Sequence, residues 1–328
     1  MPDSINITAL AAYAEQYKAQ LITKAMTGTE DIQKHFNLIP GITDKYIMTN
    51  LQMKKILKPY RKSWDPDSDK GKLIPRTLRV ELGQVELEEE PQAYRKTYLG
   101  TLLKGAQDTR IPFEQYLLEA VMKQIASDIN TDLLFYGDRD ANGTLPGDVN
   151  DGFFTIIADE KAAGNISTAL GNQINIGAVT SSNAVAQMKK FYRGVNKAYW
   201  GVPVKMYMSW DIYNKYVDDY QASVGSVPYN TEFKKTFLEG SANLCELVPL
   251  TSMGDAQMVI IAPQENMAVG VDLASDQEKI IVRQGNNPKT IQIYSAMAWG
   301  AQIASLRAFW CTDGSAGTTP SGSGSSFV

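Results

Sequence analysis

Phe113, Leu117, Val121, Ile125, Ile129 and Leu133 place an apolar residue at every fourth position, and Leu118, Met122 and Ala126 widen the stripe. Side chains spaced this way share one face of a helix. Pro112 suits a first helical position and Gly137 a stop, so the spacing predicts one long helix over about 112–136. At 1.5 Å per residue it is roughly 35 Å long.

The rest of the chain reads as mixed α and β. Residues 7–26 carry Leu10, Tyr13, Tyr17, Leu21 and Ala25 at helical spacing, with Gly28 as the stop. Residues 36–60 read as extended chain, followed by the polar turn "SWDPDSDKGK" and by "TLRVELGQVELEEE", where Leu78, Val80 and Leu82 alternate with polar residues. Two extended arms about a turn predict a long hairpin projecting from the body. Downstream, "SNAVAQMKKFYRGVNKAYW" reads as a helix. "VPVKMYMS" reads as a strand leading into the helix "WDIYNKYVDDY", with Ser209 as N-cap. "AQMVIIAP", "MAVGVDL", "KIIVRQ" and "KTIQIYSAMAWGAQI" read as strands. The Gly/Ser-rich "DGSAGTTPSGSGSSFV" is expected to be disordered. The fold class is α+β.

Catalytic side chains are scarce. His35 is the one histidine, and Cys245 and Cys311 are the two cysteines, which excludes zinc sites built on paired histidines or four thiolates. A nucleophilic triad would have to rest on His35, which reads instead as a surface or packing residue. No dinucleotide, P-loop or nucleophile-elbow motif occurs, so no catalytic residue and no cofactor is expected. "DRDANG" offers Asp138, Asp140 and Asn142 as alternating oxygen ligands with Gly143 sixth, as in the first half of a calcium loop. The twelfth position is Val149 rather than a bidentate Glu, and Gly, Asp and Asn are also what a turn uses. Phe191, Tyr192, Tyr199 and Trp200 read as core rather than as a stacking platform. Tyr213, Tyr216 and Tyr220 read as packing or a subunit contact, "TSMGDAQMV" as a turn, and Glu114 and Glu119 as a solvated helix face.

Charge is distributed unevenly. Lys54, Lys55, Lys58, Arg61 and Lys62 fall within nine positions, and Glu81, Glu86, Glu88, Glu89 and Glu90 follow, although the whole chain has a formal net charge of only -4. Nucleic-acid binding would therefore have to be local. Five bases with Tyr60 among them can meet phosphates and stack on a base; equally, basic and acidic stretches can meet each other. No run of 18 apolar residues is present, so no membrane partner is expected. The sequence "MPDSINITALAAYAEQYK" lacks a basic region ahead of an apolar one, so no secretory signal is read there. Two distant cysteines fit a reducing cytosol.

Three stretches carry a family resemblance: "FEQYLLEAVMKQIASDINTDLLFYGD", "GVPVKMYMSWDIYNKYVDDY" and "MVIIAPQENMAVGVDLASDQEKIIVRQGNNPKTIQIYSAMAWGAQI". In their order, over about residues 5–312, the chain resembles the major capsid proteins of tailed bacteriophages, the HK97-like fold. The resemblance implies an N-terminal arm over 1–40, an E-loop hairpin over 41–105 and a peripheral domain over 106–200 with the long helix as its spine. An axial domain over 201–275 and closing strands over 276–312 follow, with a disordered tail over 313–328. It further implies a non-enzymatic subunit that assembles as pentamers and hexamers into an icosahedral shell around double-stranded DNA. Its partners would be scaffolding and portal proteins and non-specifically held DNA, and its place the virion, after synthesis in the host cytoplasm. In such shells the E-loop crosses a neighbour. Lys54, Lys55, Lys58, Arg61 and Lys62 would then be inter-subunit contacts, as would Glu86, Glu88, Glu89 and Glu90. That reading is preferred over DNA binding because the acidic run would repel a polyanion. The alternatives are an encapsulin-type compartment shell and a soluble cation-binding α/β enzyme or binding domain.

Overall fold

The computed structural model describes residues 30–53, 55–60, 62, 71–90, 113–225, 229–230, 235–272, 279–287 and 290–320. The helix expected over 7–26 lies outside them. The first part of the chain gives α1 (Glu30–His35), β1 (Asn37–Pro40), β2 (Lys45–Met53), β3 (Gly71–Arg79), β4 (Glu81–Glu89), α2 (Phe113–Asp128) and α3 (Phe153–Ala162). Next come β5 (Gln173–Ile174), α4 (Ala184–Gly194), β6 (Val204–Ser209), α5 (Trp210–Val224), β7 (Tyr229–Asn230) and β8 (Lys235–Thr236). The chain closes with β9 (Cys245–Leu250), β10 (Ile260–Ala262), β11 (Met267–Val271), β12 (Lys279–Gln284), β13 (Ile291–Ile303) and β14 (Trp310–Thr312).

The predicted long helix is present, with a change of pitch. α2 ends at Asp128 and runs on as a π-helical turn, Ile129–Leu133, in which the Leu134 N–H reaches the Ile129 carbonyl at 2.9 Å. The spacing supplies a reason. On an α-helix each fourth residue advances about 40° around the axis, so a strict four-residue stripe drifts off the core. One wider turn takes up an extra residue and leaves Ile129, Leu133, Leu134 and Phe135 all buried.

Two sheets sandwich the core. β13 is the axis of the first: β11 and β12 pair antiparallel with it, β4 pairs antiparallel over Glu81–Glu89, and β1 adds parallel to β11. The second runs β5-β14-β10-β6-β9. Its central strands are buried along their length, because α4 and α5 cover one face through Met188, Phe191, Ile212 and Tyr216 while Tyr207, Val248 and Ile260 enter the core shared with α2 and β13. An aromatic knot joins the two halves: Phe36 stacks on Phe153 at 5.5 Å and on Tyr207 at 5.4 Å between centroids, with Phe135 edge-on at 6.2 Å. The Tyr207 hydroxyl donates to the His35 carbonyl at 2.7 Å, and His35 is buried there as a packing residue. Ser209 caps α5 as expected, its side chain accepting the Ile212 N–H.

β2 and β3 form the expected hairpin, in register from Lys45 opposite Arg79 to Met53 opposite Gly71. Its base lies on the first sheet. Ile42, Leu78 and Val80 pack against Ala268 and Ala298, and a Cβ on Gly270 would sit 2.9–3.0 Å from the Ile42, Leu78 and Val80 side chains. Arg76 ties the arm down further: it donates to the Ile303 carbonyl (2.6 Å) and the Gln302 amide oxygen (2.8 Å), and pairs with Glu160 on α3 at 2.7 Å. Asn50 donates to the Ala304 carbonyl at 2.6 Å. The acidic stretch departs from the sequence reading. It does not continue the hairpin; beyond Val80 the chain enters the body sheet as β4, because Gly83, Val85 and Leu87 give it an inward apolar face of its own. We expect Gly270→Val to cost about 1–3 kcal/mol in denaturant unfolding, since two methyl groups must displace the seated base; wild-type stability would show that the base is not seated there.

The tail also departs from expectation. Residues 321–328 lie outside the described set, but residues 313–320 run along the body. The Ser315 carbonyl accepts both the Gln257 and Met258 N–H groups at 3.0 Å, and the Ala316 side chain packs against the main core. Composition misled here because the docking uses the backbone, and a Gly/Ser segment has as many backbone donors and acceptors as any other. Truncation after Thr312 should therefore lower the melting temperature by at least about 2 °C, read by calorimetry; no change would mean that the docked segment contributes nothing.

Candidate functional site

The surface that the fold leaves open is the outer arm of the hairpin. Past Asn50 and Arg76, Leu51, Met53 and Leu73 are more than half exposed, and Ile56, Leu57 and Tyr60 follow in the basic stretch. Leu57 is 97% and Tyr60 94% exposed. Lys55, Lys58 and Lys62 are exposed between and beside them, while Lys54 and Arg61 lie outside the described residues. The arm thus presents apolar side chains alternating with ammonium groups, the composition of a contact surface rather than of a purely solvated loop. The apolar residues inside "KKILKPYRK" were visible in the sequence as this signal.

The acidic residues are at the other end of the ribbon. From Gly71 to Glu88 the chain runs through roughly 50–60 Å of strand at the usual rise. On β4, Glu86 and Glu88 point away from the core and Glu90 follows exposed; Glu89 is placed only by its backbone pairing with Ile291. Glu86 and Glu88 line an open groove of about 550 Å³ on the outer face of the first sheet, together with Ile281, Arg283, Gln292 and Tyr294. Its floor is partly apolar and its rim mixed in charge. Glu88 is fixed within it: Thr290 Oγ1 donates to Oε1 at 2.7 Å and Gln292 Nε2 donates to Oε2 at 3.1 Å. These bonds favour the carboxylate, Thr290 most, and hold the Glu88 pKa below its ordinary value. A depressed carboxylate contributes to the folded state above its unfolded pKa and ceases to as pH falls through the lower folded one. In a carboxyl-resolved NMR titration, Thr290→Val should raise the Glu88 pKa back toward the ordinary glutamate range. A Glu88 curve unchanged by Thr290→Val would contradict the bonded geometry.

The structure does not gather the cation candidates into a ligand shell. In the loop after Gly137, Asp140 Oδ1 accepts the Asn142 N–H (2.9 Å), Asp148 Oδ2 accepts the Leu145 N–H (2.7 Å), and Asp151 Oδ1 accepts the Arg139 N–H (2.9 Å). The Asp138 N–H goes to the Gly147 carbonyl. The loop is a double turn, and its outward use is structural: Arg139 bonds Glu81 at the start of β4 at 3.1 Å. Among the described residues no three of His, Cys, Asp and Glu are grouped closely enough to hold a metal ion. Phe191 and Tyr192 are core, whereas Trp200 is 39% exposed, with its indole N–H on the Val195 carbonyl. Tyr216 is buried and stacked on Tyr220 at 6.2 Å, and Tyr213 bonds Thr236, so this face is packing. Cys245 and Cys311 are buried free thiols, and burial pushes Cys311 up to about 11. Residues that the sequence did not single out include Arg76 and Arg139, which look like any strand or loop arginine until their partners are known.

No protein-family model matches the sequence. No curated protein sequence matches it. Solved structures do match. The chain superposes on a subunit of the satellite phage P4 procapsid with a TM-score of 0.55 and 13% identity, over 94% of this chain and 97% of that one. A subunit of the capsid of a native GTA particle gives a TM-score of 0.54 and 10% identity over 86% and 88%. A chain from Gordonia phage Cozz gives 0.53 and 11% over 86% and 85%. This chain has the HK97-like capsid fold. The matches to the HK97-like fold span 94% and 86% of this chain, so the likeness covers most of its length and not one local motif.

Proposed function

We propose that the chain is the major capsid protein of a tailed phage, a subunit that closes into an icosahedral shell around double-stranded DNA. The observation that supports this most is the open arm: an HK97-like subunit that leaves Leu57 and Tyr60 almost fully exposed needs a neighbour to cover them. The hairpin of β2 and β3 then acts as the E-loop, and 106–200 as a peripheral domain on the helical spine. Residues 201–275 act as the axial domain that meets its copies around five- and six-fold positions, and 276–312 as the closing strands. The basic tip and the acidic sheet face lie at opposite ends of one ribbon, so their attraction is satisfied between copies rather than within one. Such charges set encounter and register more than affinity, and many modest contacts suffice in a closed shell. Scaffolding and portal proteins are the expected partners, DNA is held non-specifically, and the subunit is made in the host cytoplasm before entering the virion.

Electron microscopy of the purified chain should show shells, tubes or rings of five or six. A compact monomer persisting at high concentration, with scaffold or crowding agent added, would count against the proposal. The contents of native particles distinguish DNA from the protein cargo of an encapsulin-type shell. Leu57→Asp with Tyr60→Asp should leave subunit stability within about 0.5 kcal/mol per site and abolish assembly. Glu86→Lys with Glu90→Lys should slow assembly and alter its salt dependence. If the tip instead holds DNA, replacing Lys55, Lys58 and Lys62 by Ala will spare shell formation and reduce only DNA retention.

A further inference from the structure

We propose that residues 313–320 form a strap clasped to the body by one carboxylate, that of Asp255, and that neutralising this carboxylate releases the strap while the rest of the subunit stays folded. The strap has a built path. Thr312 anchors its start, exchanging bonds with Val259 in both directions, N–H to carbonyl at 3.0 Å and Val259 N–H to Thr312 Oγ1 at 2.9 Å. Asp313 Oδ1 accepts the Ile176 N–H at 3.1 Å. Ser315 then accepts from Gln257 and Met258, and the Tyr136 hydroxyl lies 2.9 Å from both the Ala316 and Met253 carbonyls, its single proton shared between them. Gly317 turns the chain at φ +74°, where a Cβ would collide with Asp255. Past that turn the contacts converge on one atom: Asp255 Oδ1 accepts both the backbone N–H and the hydroxyl of Thr318.

The groups around the clasp make its charge state decisive. α5 presents Asp211, which repels a second carboxylate, but Lys215 sits 2.6 Å from Asp211 Oδ2 and Gln257 Nε2 donates to the same oxygen at 3.1 Å. Tyr136 faces the clasp as a neutral phenol, its pKa pushed up by burial. The Thr318 N–H and hydroxyl hold the Asp255 carboxyl below the usual aspartate range. The clasp is therefore closed above the ordinary aspartate pKa and opens as pH falls through the lowered one. A protonated or amide side chain loses the doubly accepting charged oxygen.

The test is amide hydrogen exchange by mass spectrometry on the full chain, normalised to intrinsic rates. At neutral pH, Asp255→Asn should speed exchange in 313–320 by about tenfold or more, with 204–209 unchanged. Wild type should show the same selective loss in strong acid. Equal rates in the strap of wild type and Asp255→Asn would overturn the proposal. Should Asp255→Asn fail to fold, Thr318→Val, which removes only the hydroxyl bond, decides the matter: several-fold faster exchange confined to 313–320 supports the clasp, and unchanged exchange there overturns it.

Discussion

The first sheet is organised by β13, and what β13 carries on its two faces decides where everything else lies. Its inward residues, Ile291, Ile293, Met297, Trp299, Ala301 and Ile303, feed the main core. Its outward residues change character along the strand. Near the C-terminal end they are Ala298 and Gly300, and with Ala268 and Gly270 of β11 they make a shallow seat on which the base of the hairpin lies; a Cβ on Gly300 would meet the Arg79 carbonyl. Near the N-terminal end they are Gln292 and Tyr294, too large and polar for a second layer to lie close, and the face stays open as the groove that Glu86 and Glu88 line. One alternating strand thus separates a covered half of the sheet from a half offered to solvent.

Period and capping made much of this legible. The strands at 204–209, 260–262, 267–271, 279–284 and 291–303, α5 with its Ser209 cap, and the long helix were all readable, because each follows from local alternation or helical spacing. What was not legible depended on pairing at a distance. Nothing local shows that the chain leaves the hairpin at Val80 and joins β13, since Leu78, Val80 and Leu82 alternate without a break; yet Leu78 and Val80 are buried and Leu82 is 51% exposed. The π-turn was hidden because a four-residue stripe looks continuous until its drift is followed. The docked strap was hidden because backbone carbonyls leave no mark on composition. Of the site, the charges were visible from the residues alone, but their separation to opposite ends of one ribbon required the topology.

That separation bears on how a subunit of this kind behaves alone. A two-stranded ribbon is marginal in water without a third layer to bury one face. Here the base has that layer, supplied by the seat on β11 and β13 and by the half-buried Arg76–Glu160 pair. The outer arm, from Leu51 and Leu73 outward, has no sheet neighbour among the described residues and keeps its apolar side chains in solvent. The groove cannot cover it from within the same molecule, because the ribbon that carries the arm away is the same chain that returns to form the groove's edge. In the proposed shell, the stabilisation the arm lacks comes from a neighbouring copy. Base and arm together make a part that is fixed at one end and, among the described residues, unsupported at the other.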